Sequence, residues 1–140
     1  MPVKFYFADT KFDLGHRKEL KKSIEALFLD QNKGLKSLIY VFTSDEYLLK
    51  INQEFLQHDY YTDVITFTLS SVKEKIEGEV YISVDRVKEN AKQLAANFSH
   101  ELYRVMIHGA LHLCGYEDKF KNEQLVMRQL EEKYLCGFVA

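Results

Sequence analysis

The sequence is poor in the residues that mark secreted or multidomain proteins. It has one proline, Pro2, and two cysteines, Cys114 and Cys136, in 140 residues. Two cysteines that form no CxxC pair argue against a disulfide framework and predict a reducing, cytoplasmic environment. No Pro-, Gly- or Ser-rich segment divides the chain. We therefore expect residues 1–140 to form a single domain with its own core.

Long apolar runs and an excess of positive charge are absent as well. No apolar run approaches the roughly 20 residues that span a bilayer, and the first residues lack the layout of a signal peptide, so no membrane partner is expected. The net charge of −2 differs from the basic balance of proteins that bind nucleic acid through bulk electrostatics. RNA binding would need a local patch, and the candidates are the cations His16, Arg17, Lys18, Lys21 and Lys22. Such a run is equally typical of a solvated helix face.

Hydrophobic periodicity predicts strands first and helices last. Apolar alternation with β-branched and aromatic residues indicates strands over residues 3–8, 37–43, 64–69 and 79–83. Helical spacing indicates helices over residues 15–29, 45–55, 85–96, 99–115 and 121–135, with Ser44 as the N-cap of the second. The last two strands are close in sequence and are expected to pair, antiparallel. This order predicts an α+β domain with a mixed four-stranded sheet packed with about five helices.

One segment of the predicted fourth helix and the turn after it carries the chemistry of the chain, and its sequence is HGALHLCGYED. His108 and His112 are four residues apart, so their imidazoles project from one helix face about one turn apart. Gly115 suits the left-handed position that ends a helix, and Glu117 and Asp118 follow in the turn. Two imidazole nitrogens on one helix face, with a carboxylate oxygen brought back toward them by the turn, predict a three-ligand metal site. Such a site has one coordination position open for water. That is the arrangement of catalytic rather than structural zinc.

The residue after the first histidine excludes one class of metalloenzyme. In the zincin pattern HExxH the glutamate is the general base, whereas this chain has Gly109 there. A peptidase is therefore the least favoured function. The catalytic group would be a metal-bound water, with no general base assigned. A glycine inside a helix costs about 1 kcal/mol relative to alanine, so Gly109 also predicts a close approach to the helix. For a bare HxxxH, two locally hydrogen-bonded histidines are the alternative.

The same segment resembles the signature H-G-x-L-H-L-x-G-Y-D-H of the YbeY family, the metal-dependent endoribonucleases of bacterial rRNA maturation. Residues 52–67 (NQEFLQHDYYTDVITF) are similar to the family stretch with Thr-Asp-Val-Leu-Ser-Phe, and residues 78–83 (GEVYIS) resemble its Gly-Asp-Ile-x-Ile-Ser strand. The resemblance implies one zinc ion per chain, cleavage of single-stranded RNA, 16S rRNA 3′-end processing and ribosome quality control. The implied partners are rRNA and proteins of the small ribosomal subunit.

The resemblance carries His108 and His112 over as metal ligands, but this chain departs from the family at the third. Asp118 stands where the family has a histidine. Aspartate binds zinc at about 2.0–2.2 Å, so we expect a site of His108, His112 and Asp118, with Glu117 as the alternative oxygen ligand. The anionic ligand would make the bound water less acidic and would favour harder ions such as Mn²⁺.

A second departure concerns the RNA substrate. Leu56 stands where the family usually has an arginine that serves the RNA or the cleavage step, and a leucine cannot bind phosphate. A nearby cation would have to replace it: Lys50, His58 or Arg104.

Two residues before the third strand are further candidates for the site. Asp63 could accept a hydrogen bond from a ligand histidine, and Thr62 either lies in the site or caps the strand. We expect RNA to lie in the groove between the ligand helix and the strand that ends at Ser83. The alternative function is a non-catalytic ribosome-assembly factor with a structural metal, which Leu56 and the missing base favour.

Overall fold

A computed structural model describes residues 2–71 and 73–137 of the chain. In these residues the order is β1 (Val3–Phe7), α1 (Arg17–Asp30), β2 (Leu35–Thr43), α2 (Asp45–Leu56), β3 (Val64–Thr68), β4 (Ile76–Ser83), α3 (Val84–Gln93), α4 (Phe98–Leu113) and α5 (Lys121–Leu135). Every predicted strand and helix is present, and their ends shift by a few residues. No helix in the described ranges is both long and apolar enough to cross a membrane.

The four strands form one mixed sheet in the order β1-β2-β4-β3. The pairs β1–β2 and β2–β4 are parallel, and β3 runs antiparallel to β4. Parallel neighbours need a long crossover, and α1 supplies it between β1 and β2. The short connection from β3 to β4 permits only the antiparallel pairing. The predicted α+β class and mixed sheet are confirmed, with β3 at one edge and β4 inside.

Helix α4 is the centre of the hydrophobic core. Its residues Leu102, Val105, Met106 and Leu113 are all buried, and the Tyr40 hydroxyl donates to the Met106 carbonyl at 2.8 Å. The helix lies directly on the sheet, because a Cβ placed on Gly109 would be 2.6 Å from Val80 Cγ1. The close approach predicted from this glycine is confirmed.

The C-terminal end of α4 reverses the chain. Gly115 has a φ of 107°, which a residue with a side chain rarely adopts. The N–H of Gly115 donates to the His112 carbonyl at 3.0 Å, and the N–H of Tyr116 donates to the Leu111 carbonyl at 3.1 Å. This pair of bonds is the Schellman motif. The Tyr116 hydroxyl then donates to Gln31 Oε1 at 2.8 Å, which fixes the reversed loop against the end of α1.

Candidate metal centre

The reversed loop brings Asp118 next to the two histidines of α4. His108 Nε2 and His112 Nε2 are 3.0 Å apart. Asp118 Oδ2 lies 3.2 Å from His108 Nε2 and 3.5 Å from His112 Nε2. Among the described residues, these three side chains form the one group of histidine, cysteine and carboxylate ligands able to hold a metal ion. Glu117 is exposed and lies outside this group.

The spacing of the three ligand atoms fits a tetrahedral metal ion. Zinc bonds of about 2.0–2.1 Å at tetrahedral angles separate neighbouring ligand atoms by about 3.3 Å. The three observed separations, 3.0, 3.2 and 3.5 Å, lie around that value. Three protein ligands leave one tetrahedral position for water or substrate. The donor set therefore suits a catalytic metal ion.

Glu131 of α5, which the sequence did not single out, orients the first histidine. His108 Nδ1 donates to Glu131 Oε2 at 2.6 Å. Because a carboxylate only accepts, this bond places the imidazole proton on Nδ1 and leaves the Nε2 lone pair facing Asp118. Burial alone would raise the pKa of Glu131, but the hydrogen bond from His108, the charge that His108 carries when protonated, and the charge and hydrogen bond of Arg104 outweigh burial and lower the pKa. Glu131 is therefore a buried anion that is hydrogen-bonded to a candidate metal ligand.

Arg104 is held by two buried carboxylates and does not line the open cleft in which the three ligand atoms lie. It donates to both oxygens of Glu101, at 2.8 and 2.6 Å, and to Glu131 Oε1 at 3.0 Å. The hydrogen bonds to Glu101 raise the pKa of Arg104 far above its usual value. Its charge is thus neutralised within the protein. Arg104 does not replace the family arginine in the cleft.

The three ligand atoms lie in an open cleft of about 430 Å³. Its walls are α4, the C-terminal end of α2, the loop of residues 57–62 and the edge strand β3, with Glu117 and Asp118 at the rim. The groove expected between α4 and the strand ending at Ser83 was placed wrongly. That strand, β4, is interior to the sheet, and its inward residues Val80 and Ile82 are buried against α4.

The remaining predicted site residues divide between the cleft and the surface. Thr62, Asp63, His58 and Leu56 all line the cleft, whereas Lys50 is exposed and does not. Burial raises the pKa of Asp63, and the charges of His108 and Arg104 oppose that rise. Asp63 Oδ2 accepts from Asn90 Nδ2 at 3.1 Å, so its described partner is an asparagine of α3 and not a ligand histidine.

The loop opposite the ligands carries two aromatic rings that face the cleft. His58 and Tyr60 stack with ring centroids 5.1 Å apart and an interplanar angle of 20°, and the Tyr60 hydroxyl is 2.9 Å from His58 Nδ1. Buried Asn52 fixes this loop by donating to the Tyr60 carbonyl at 2.9 Å. His58 was predicted only as a cation, and in the structure it is half of a stacked pair.

Comparison with known proteins places this chain in a family. The model of a family described as Endoribonuclease YbeY matches residues 6–138. A relative from Cytophaga hutchinsonii named Endoribonuclease YbeY is 46% identical over 131 residues, which cover 94% of this chain and 92% of the relative. A relative of the same name from Porphyromonas gingivalis is 43% identical over 95% of this chain and 87% of its own.

The fold is likewise similar to a solved structure. The solution structure of TM1509 from Thermotoga maritima matches with a TM-score of 0.67 and 29% identity, over 96% of this chain and 87% of that chain. The match of the family model to nearly the whole sequence and the identity to its members show the family. The chain belongs to the YbeY family.

Proposed function

We propose that the chain is a zinc-dependent endoribonuclease that cuts single-stranded RNA in 16S rRNA 3′-end maturation and ribosome quality control. The observation that supports it best is the convergence of His108, His112 and Asp118 in an open cleft at tetrahedral spacing. Residues 1–140 would act as one domain in the cytoplasm, with rRNA and proteins of the small ribosomal subunit as partners.

In this proposal the ligand side chains and their supports have separate roles. His108 and His112 would hold one metal ion per chain through Nε2, and Asp118 would hold it through Oδ2. When bound, the ion would polarise a phosphoryl oxygen and activate water for attack. Glu131 keeps the proton of His108 on Nδ1. Asp63, with Oδ2 bonded to Asn90, retains acceptor capacity with which to position a water molecule or an RNA hydroxyl.

The stacked His58–Tyr60 pair supports a single-stranded substrate. Tyr60 is 56% exposed, and both rings line the cleft that holds the ligands. Unpaired bases stack on aromatic side chains, whereas bases in a duplex are already stacked on one another. A base held on this pair would place the neighbouring phosphodiester near His112 and Asp118.

A non-catalytic assembly factor with a structural metal is the second candidate. Leu56 lines the cleft where the family arginine is expected, and no lysine or arginine is among the described residues that line it. A site without a cation binds phosphate poorly, so this feature argues against cleavage in the cleft and favours the assembly factor. The two candidates differ in whether the loaded protein cuts RNA.

The deciding experiment measures cleavage of single-stranded rRNA by metal-loaded wild type, His112→Ala and His100→Ala. His100 is an exposed residue of the same helix, away from the cleft, and serves as the matched control. We expect cleavage by wild type and His100→Ala and none by a folded His112→Ala. A wild type inert with both Zn²⁺ and Mn²⁺, together with a His112→Ala variant that only unfolds more easily, would establish the structural role instead.

A further inference from the structure

The cleft of this chain lacks the positive charge that an RNA backbone requires. The charged groups that line it, apart from histidines, are Asp63, Glu117 and Asp118, all acidic. Phosphate contacts by lysine and arginine dominate the affinity of proteins for nucleic acid. Leu56 supplies no charge, and Arg104 is neutralised by Glu101 and Glu131. If the cleft binds RNA, the cations that hold the backbone lie next to it and not in it.

A second depression, here named the α5 pocket, begins where the cleft ends. It has a volume of about 370 Å³, and Lys121, Gln124 and Arg128 of α5 line it. It shares His108 and Asp118 with the cleft. The two depressions therefore meet at the metal ligands, and a strand lying in the cleft would leave it over α5.

Three cations line the α5 pocket, and two of them, Lys121 and Arg128, are exposed. The third, Arg104, is paired with Glu101 and Glu131. Lys121 and Arg128 are seven residues apart, about two turns or 10.5 Å along the helix, so both point from the same face. Within the described part of the chain, no ion pair or side-chain hydrogen bond engages either of them. Arginine and lysine that make no partner within the protein are available for the phosphates of a bound strand.

We propose that Lys121 and Arg128 form the phosphate-binding subsite of this chain and replace the missing arginine at Leu56. The inference rests on the proposed nuclease function for its substrate, and it assigns the path that RNA takes across the site. Bases stack at His58 and Tyr60, the scissile phosphodiester lies at the ligands, and phosphates beyond it lie on α5. Gln124, between the two cations, would donate an amide hydrogen bond to the same backbone.

Removal of both charges has a calculable effect on affinity. Each phosphate contact to a single strand contributes about 0.7 to the slope of log K against log salt concentration. At 0.1 M salt one contact is then worth about fivefold in affinity, and two are worth about 25-fold. The double variant Lys121→Gln/Arg128→Gln should show that loss and a salt slope shallower by about 1.4.

The test uses the metal-loaded protein and a short fluorescein-labelled single-stranded RNA with methylated 2′-hydroxyls. Fluorescence anisotropy gives its affinity across a salt series, and a gel checks that the probe stays intact. The matched control is Lys33→Gln/Lys92→Gln, which removes the same charge from exposed positions that line neither the cleft nor the α5 pocket. We expect the α5 variant alone to lose affinity and to keep the metal content and melting temperature of wild type.

Two results would overturn the subsite. One is an unchanged affinity in the α5 variant, and the other is an equal loss in both double variants, which would mean that only bulk charge matters. Neither result bears on whether the wild type cuts RNA. Failure of the nuclease proposal is a separate observation, namely wild type that binds the probe but leaves unmodified RNA intact.

Discussion

The substitution Glu131→Gln tests how the metal centre is held, because it removes a charge without changing the shape of the side chain. In the structure one carboxylate serves two donors, with His108 Nδ1 on Oε2 and Arg104 Nη1 on Oε1. An amide has one oxygen and one NH₂ group. If the oxygen stays with Arg104, the NH₂ group faces His108 Nδ1 and favours the tautomer that carries its proton on Nε2. That proton would occupy the position of the metal.

The expected cost follows from this tautomer change. Substitution of the group that orients a ligand histidine lowers metal affinity by about 10- to 100-fold, or about 1.4–2.7 kcal/mol. The opposite amide orientation brings no relief, because it turns the NH₂ group toward the Arg104 cation. Both orientations lose one charge-assisted hydrogen bond, so we place Glu131→Gln within this range.

Metal affinity is measured by competition of the metal-free protein with a chromogenic zinc chelator. Glu132→Gln is the matched control, because Glu132 is the exposed neighbour on the same helix and its loss changes the net charge equally. Melting temperatures of the metal-free proteins separate ligand effects from folding effects. Zinc affinity of Glu131→Gln within twofold of the control would refute the assigned role of the carboxylate.

Three further predictions concern the core, the third ligand and the buried thiol. Gly109→Ala should destabilise the fold by about 1–3 kcal/mol, because its Cβ would lie 2.6 Å from Val80 Cγ1; a melting temperature at or above wild type contradicts this. Asp118→His should raise the preference for Zn²⁺ over Mn²⁺ in competition titrations, since imidazole suits zinc and carboxylate suits manganese; an unchanged ratio would show that Asp118 is not a ligand. Burial raises the pKa of Cys114 from 9.0 to about 11, so iodoacetamide at pH 8 should label the exposed Cys136 first. The same pKa shift lowers the free energy of unfolding as pH rises from about 9 toward 11, because the thiol of the unfolded chain ionises first. Urea midpoints that stay constant over this range in wild type but fall in Cys114→Ser would contradict this.

Local pattern was sufficient to predict the ligand helix and its end. The spacing of apolar residues places His108 and His112 on one face of α4 whatever the rest of the chain does. Gly115 likewise ends the helix through its own backbone conformation. Asp118 then follows within reach because the reversal is short. Each of these features is decided within about ten residues, which is the range over which sequence patterns act.

The parts that sequence did not predict depend on contacts between distant elements. Glu131 is 23 residues from His108, and its one signal was an acidic residue on the buried side of α5, four residues after buried Met127. The groove was predicted beside the wrong strand because the order of the strands in the sheet was not known. Because β4 inserts between β2 and β3, the strand next to the cleft is the earlier one. Hydrophobic alternation is the same for either order, so periodicity carries no information on it.

The contact between Gly109 and Val80 helps to set the distance between α4 and the sheet. The positions of the candidate metal ligands on α4 depend on that distance. Both candidate ligand histidines lie on α4, and α4 packs closely on β4 at this contact and where Leu113 meets Gly78. The Val80 side chain therefore acts as a spacer between the sheet and the helix. A longer or shorter side chain at this position would shift both imidazoles together, as one rigid body, relative to Asp118 on its loop and to β3 across the cleft. The dimensions of the candidate site thus depend in part on a core residue that does not itself line the cleft.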